Sequence, residues 1–209
     1  MTSDKGGISA MRLSKLLDVS WPTARTMLQK LRAAMAHRDS LYRLTELVEL
    51  DDALVAGKRP GKRGRGAEGK TSVLVACESR DGGHAGYLAM QAVGSVTGNA
   101  VSDFARHHLG PDCRIRTDAL PALNSLGEDF AHHARKTPPE QASTWLPLVH
   151  IAIANLKRFL QGTFHGVSGK YLQEYLDEFC YRFNRRHWEQ QLPLRLLHLC
   201  IDHMPIKFA

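Results

Sequence analysis

Four side chains in this sequence have the types and positions to do chemistry together: Asp51, Asp118, His150 and Lys157. Asp51 closes the run Leu47-Val48-Glu49-Leu50-Asp51, which reads as a short strand. Asp118 follows Cys113-Arg114-Ile115-Arg116-Thr117, which reads as another. In a mixed sheet, side chains at the ends of neighbouring strands can converge on one point. Two carboxylates brought close repel each other unless a cation lies between them. Mg²⁺ suits such a place, because it takes oxygen ligands and keeps several waters. A pair of such ions about 3.5–4 Å apart can activate a water and stabilise the leaving oxygen of a phosphodiester. Taken singly, each aspartate also fits an ordinary turn residue, and spacing alone leaves both readings open.

His150 and Lys157 lie seven residues apart in a segment of helical periodicity, Trp145 to Leu160. At ~100° per residue this is close to two full turns, so they share a face. Asn155 falls on a different side. A helix with that face toward the aspartates brings an imidazole and an ammonium to them together. A core or surface histidine and a solvated lysine are the alternatives.

The elements that must position these residues fall into three zones. Residues 8 to 36 carry two short helical patterns around a break at Val19-Ser20-Trp21-Pro22, where Ser20 can cap the second helix and Pro22 fits its first turn. With Arg25, Lys30 and Arg32 on the second helix, the pair reads either as a helix-turn-helix, whose second helix enters the major groove, or as a plain helical hairpin. Residues 45 to 135 alternate strand and turn signals. Strands are expected at 47–51, 72–77, 85–90, 113–117 and near 130–134, with Asp81-Gly82-Gly83 as a hairpin turn and a helix at 99–108. Residues 144 to 204 return to helix: one from Trp145, ended by Gly162, one from Ser168 or Gly169 through Phe183, and a last one over Leu194 to His203. The expected fold class is α/β, a mixed sheet flanked by helices. The expected division is a helix-turn-helix segment over 1–40 and a catalytic domain over 45–205.

Basic segments flank the candidate site. Lys58, Arg59, Lys62, Arg63 and Arg65 put five cations in eight residues of a glycine-rich stretch with no acid. Such a loop can track phosphates with salt-sensitive affinity, or form a bare hairpin tip. Arg158 follows Lys157, and Arg182, Arg185 and Arg186 gather at a helix end, where cations also suit the helix dipole. The net charge of +7 favours a polyanionic partner, of which nucleic acid is the commonest. A chain of 209 residues, 43% hydrophobic, can bury one good core and a small extra module. The 4 cysteines form no C-x-x-C pair, which argues against a zinc ribbon and a disulfide framework and for reduced thiols in a cytoplasmic protein. No apolar run approaches the ~20 residues that span a bilayer, and no secretory leader is written at the N-terminus.

Five strings, taken together, resemble bacterial insertion-sequence transposases: Val-Glu-Leu-Asp-Asp (48–52), Gly-Lys-Arg-Gly-Arg-Gly (61–66), Arg-Thr-Asp (116–118), Asn-Leu-Lys-Arg-Phe-Leu-Gln-Gly-Thr-Phe-His-Gly-Val-Ser (155–168) and Tyr-Leu-Asp-Glu-Phe-Cys-Tyr-Arg-Phe-Asn-Arg-Arg (175–186). The closest group is the family numbered fifteen-ninety-five, whose signature adds a lysine to the DDE triad. The resemblance runs from about residue 10 to 200. It implies a ribonuclease-H-like fold, DNA as partner (element terminal repeats and target), and strand cleavage and transfer with Mg²⁺, for which Mn²⁺ can substitute. It also implies a homo-oligomer, since two ends must be joined, and a bacterial cytoplasmic, nucleoid-associated setting without membrane.

Matched residue by residue, Asp51 falls on the first aspartate of the family, Asp118 on the second and Lys157 on the signature lysine. The third acidic position, seven residues before that lysine, is His150, with Asn155 as the alternative. The resemblance thus gives Asp51, Asp118 and His150 as metal ligands. Arg25, Lys30, Lys58, Arg59, Lys62, Arg63, Arg65, Arg158, Arg182, Arg185 and Arg186 are the expected nucleic-acid contacts. Two departures stand out. A neutral imidazole is a poorer Mg²⁺ ligand than a carboxylate, and the cysteine-rich ribbon of many relatives is not written ahead of the helical pair. They admit an alternative reading, a catalytically impaired transposase-derived DNA-binding protein.

Overall fold

The computed structural model describes residues 6–56, 70–81, 83–138 and 141–202. Two helices come first, α1 (Ala10–Leu17) and α2 (Trp21–Ser40). Ser9 caps α1 by accepting the Arg12 N–H, and Ser20 caps α2 by accepting the Thr23 N–H, with Pro22 in the first turn where its missing donor is not needed. Between them Asp18 takes a left-handed φ of 52°, which turns the chain. On α1, Met11, Leu16 and Leu17 are exposed. The second helix does not stand free: Arg32, buried, donates to the Glu178 carboxylate at 2.9 Å and lies over the Tyr175 ring at 3.9 Å.

The sheet is built from β1 (Leu47–Ala56), β2 (Lys70–Arg80), β3 (His84–Val93), β4 (Arg114–Asp118) and β5 (Ala131–Arg135), in the order β3-β2-β1-β4-β5. The first three strands form an antiparallel meander. β4 and β5 run parallel to β1 and to each other, which requires crossovers. The first crossover carries α3 (Gly98–His108), the second a 3-10 turn over Pro121–Glu128. Then come a one-turn α4 (Ala142–Trp145), α5 (Pro147–Phe164), α6 (Leu172–Asn184) and α7 (Leu192–Asp202).

Strand alternation assigns the two faces of the sheet. Val48, Leu50, Leu74, Ala76, Ala89 and Ile115 face α3 and bury Phe104 and Leu123. Ala53, Val55, Val73, Val75, Leu88 and Met90 face the opposite way and pack against α5 and α6. A smaller cluster of Met35, Tyr181, Leu192 and Leu196 joins α2, α6 and α7.

Several expected boundaries move. Pro147 opens α5 and separates it from α4, so Trp145 belongs to a different element from His150. Gly162 does not end the helix; a mid-helix glycine costs only about 1 kcal/mol against alanine, and buried Phe159 and Leu160 hold the turn before it. The stop is His165, left-handed at φ 52°, followed by Gly166 at φ 94°. The last helix begins at Leu192 rather than Leu194. β1 does not close at Asp51 but runs on to Ala56.

Candidate active site

β1 outlasts its parallel neighbour. The registered pairs between β1 and β4 end at Leu50 and Thr117, so Asp51 and Asp118 are the next residues on two adjacent strands, whose backbones lie about 4.8 Å apart. Alternation turns both away from the α3 face, since Leu50 and Ile115 are buried there. Asp51 therefore marks the end of the parallel pair, though not the end of its own strand.

Each carboxylate is held by its local backbone. Asp51 Oδ1 accepts the N–H of Asp52 at 2.8 Å, and Asp118 Oδ1 accepts that of Leu120 at 3.2 Å. His150, on the second turn of α5, sets Nδ1 3.8 Å from Asp51 Oδ2, with its side chain 35% exposed. Burial holds its imidazole below the usual value of 6.5; the Asp118 charge opposes that shift and the Lys157 ammonium adds to it. Burial thus favours the uncharged ring, which feels both Asp118 and Lys157. His150 is near Asp51 and within electrostatic reach of Asp118 and Lys157. Asn155 is turned to another flank of α5, where it lines a cavity of about 610 Å³ with Arg158, Phe159, Phe179 and Arg182.

Two further contacts hold the start of α5, and neither was anticipated from sequence. Glu49 Oε2 accepts the N–H groups of Leu148 at 2.8 Å and Val149 at 3.0 Å. Burial raises the Glu49 carboxyl above its usual range, an effect opposed by those two N–H groups and by Arg116. Trp145 Nε1 donates to the Thr117 carbonyl at 2.9 Å, with the guanidinium groups of Arg116 and Arg135 5.2 and 5.5 Å from its ring. The signal for Glu49 was available: it stands two residues before Asp51, hence on the same strand face.

The expected cations separate into groups. Lys30, Lys157 and Arg158 are exposed. Arg25 stacks on Tyr171 at 4.6 Å. Arg182 lies 3.5 Å from Glu178. Arg185 is buried, donates to Asp39 at 2.6 Å and stacks on Tyr181 at 3.9 Å, tying α6 to α2. Arg186 donates to the carbonyls of Gly86 and Phe183 at 3.3 and 2.9 Å. Lys58, Arg59, Lys62, Arg63 and Arg65 lie outside the described residues.

A five-stranded mixed sheet in this order, helices on both faces and two aspartates where its central parallel strands part define a ribonuclease-H-like fold of the DDE transposase class. The ISXO2-like transposase domain, the domain of the fifteen-ninety-five family, matches residues 43–184, and the chain belongs to that family. The matched span holds Asp51, Asp118, His150 and Lys157; α1, α2 and α7 lie outside it. No curated protein sequence matches the chain. No helix among the described residues is long and apolar enough to cross a membrane.

Proposed function

We propose that this protein is a DNA transposase that cuts the ends of a mobile element and joins them to target DNA. The reaction is in-line attack on phosphodiesters, first by water and then by a 3′-hydroxyl. The observation that carries this reading is the adjacency of Asp51 and Asp118 on neighbouring parallel strands, with His150 3.8 Å from Asp51.

DDE transposases generally use divalent metal ions. Among the described residues no three His, Cys, Asp or Glu side chains form a ready metal cage. The donor chemistry nonetheless fits Mg²⁺ or Mn²⁺: two carboxylates on adjacent parallel strands, with an imidazole 3.8 Å from one of them. In this reading Asp51, Asp118 and His150 hold the ion, which supplies charge for the attacking and leaving oxygens. The backbone N–H groups that grip each Oδ1 aim the remaining oxygens. Lys157, two turns along α5, contacts a phosphate beside the scissile bond. Arg158, Lys30, Arg25, Arg182, Arg186 and the basic stretch from Lys58 to Arg65 contact the DNA backbone, with Arg185 bracing α6 behind them. α1 and α2 serve as a helix-turn-helix DNA-binding segment, and a homo-oligomer holds two ends together.

The test is nicking of duplex DNA that carries the element's terminal repeats, with Mg²⁺ or Mn²⁺ added. Asp51→Ala and Asp118→Ala are expected to lower the rate by about 10³-fold; full activity in either variant overturns the assignment. The histidine at the third position favours one other reading, a transposase-derived protein that binds repeats without cutting. Filter binding to terminal repeats with no cleavage in either ion would establish that instead.

A further inference from the structure

The start of α5 lacks a cap of its own: the residue before it is Leu146, whose side chain accepts nothing, and Pro147 donates nothing. The N–H groups of Leu148 and Val149 nonetheless find one partner, the carboxylate of Glu49 on β1. Glu49 is 2% exposed and sits on the α5 face between Leu47 and Asp51, with the apolar core residues Ala53 and Val55 further along the same side of the strand. A buried glutamate in that setting is costly unless it is well hydrogen-bonded. Here the two amides and the positive end of the helix dipole compensate it. The consequence is geometric. Glu49 stands two residues before Asp51, and the amides it grips stand one and two residues before His150. One carboxylate therefore links the strand that carries Asp51 directly to the helix that carries His150.

We propose that Glu49 is a positioning residue that sets the spacing between Asp51 and His150, by acting as the N-terminal cap of α5 from the neighbouring strand. This rests on the reading of Asp51 and His150 as the reaction centre. Glu49 itself does not touch the ion or the DNA, because its Oε2 is committed to the helix. The Trp145 donation to the Thr117 carbonyl performs a parallel service for the strand that ends in Asp118.

The test compares Glu49→Leu and Glu49→Gln with Glu78→Gln. Glu78 is a second buried glutamate that also accepts backbone N–H groups, from Thr45 and Tyr87, but away from the site. In Mg²⁺-dependent nicking, Glu49→Leu is expected to lower kcat about 100-fold, as a displacement near 1 Å can do, with KM for DNA little changed. Glu49→Gln keeps an oxygen acceptor and is expected to restore most of that rate, within about tenfold of wild type. Glu78→Gln leaves kcat within about threefold. Hydrogen exchange gives a readout that needs no activity: the amides of Leu148 and Val149 lose protection in Glu49→Leu and keep it in Glu78→Gln. If Glu49→Leu folds and cuts with wild-type kcat, or if those amides stay protected, the positioning role is overturned while the transposase reading stands. If wild type cuts nothing yet those amides lose protection only in Glu49→Leu, the cap stands and the catalytic reading falls. Should Glu49→Leu fail to fold, Glu49→Asp carries the test: its side chain is one methylene shorter and cannot hold both amides from the same backbone position, so exchange at Leu148 and Val149 must then rise above wild type or the proposal fails.

Discussion

The two faces of the sheet differ in what they ask of the same strands. Toward α3 the strands present Val48, Leu50, Leu74, Ala76, Ala89 and Ile115, a continuous apolar layer around Phe104. Toward α5 the layer is equally apolar over Ala53, Val55, Val73 and Val75. At the end where β1 parts from β4, however, it gives way to Glu49, Asp51, Arg116 and Asp118. One face is scaffold throughout; the other is scaffold at one end and carries the candidate site at the other. A site needs precisely oriented charges, and charges need rigid support. Here the charges lie on two strands, β1 and β4, whose apolar residues Leu50 and Ile115 point to the other face.

That division predicts opposite phenotypes. Phe104→Ala, which empties a fully buried ring position on the α3 face, is expected to lower the unfolding free energy by about 3–5 kcal/mol. The nicking rate per folded molecule should be kept. Asp51→Ala should lower nicking by about 10³-fold while changing stability by less than about 1 kcal/mol. Urea titrations beside nicking assays decide it; equal loss of both properties in both variants would dissolve the distinction.

The scaffold face also carries its own response to acid. His108 ends α3 with its ring centroid 4.7 Å from that of Phe104, and burial, then the charges of His107 and Arg43, push its pKa down to about 4. The native state thus holds the neutral ring while the unfolded chain takes up a proton near 6.5. This contribution is complete above that value and is lost as pH falls toward 4, by roughly 2–4 kcal/mol. His108→Gln should flatten the dependence of urea midpoints on pH over this range, and an unchanged slope would refute it.

The smallest expected effect belongs to Lys157. Lys157→Ala should reduce the slope of log affinity against log salt by about 0.9, one phosphate contact fewer, with stability unchanged. Fluorescence anisotropy at several salt concentrations reads it directly. A slope equal to wild type would remove the phosphate contact.

Much of the fold was legible before any coordinates. Ser20 marks a helix start because its hydroxyl accepts the backbone N–H three residues on; the equivalent cap at Ser9 was not read from the sequence. All five strands overlap the segments expected, although β5, Ala-His-His-Ala-Arg, carries no β-branched residue. Boundaries moved where a neighbour outweighed local preference: β1 runs past Asp51 because β2 continues to pair with it, and α5 runs through Gly162 because its other face is buried. Arg185 shows the same limit. In sequence it resembles a DNA contact or a dipole cap, and only the approach of α2 makes it the buried partner of Asp39.

Within single elements, the sequence by itself determined which side chains share a side. A period of two puts Glu49 with Asp51, and a period of 3.6 puts His150 with Lys157. Those relations are local and survive any arrangement of the elements. Distances between elements are not local. That β4 lies beside β1 in parallel, that α5 covers the face bearing Asp51 rather than the one bearing Leu50, and that Glu49 caps a helix almost a hundred residues further along the chain were decided by the tertiary structure. The physical reason is that burial of both apolar sheet faces selects one packing of strands and helices, and that packing sets every separation across the site.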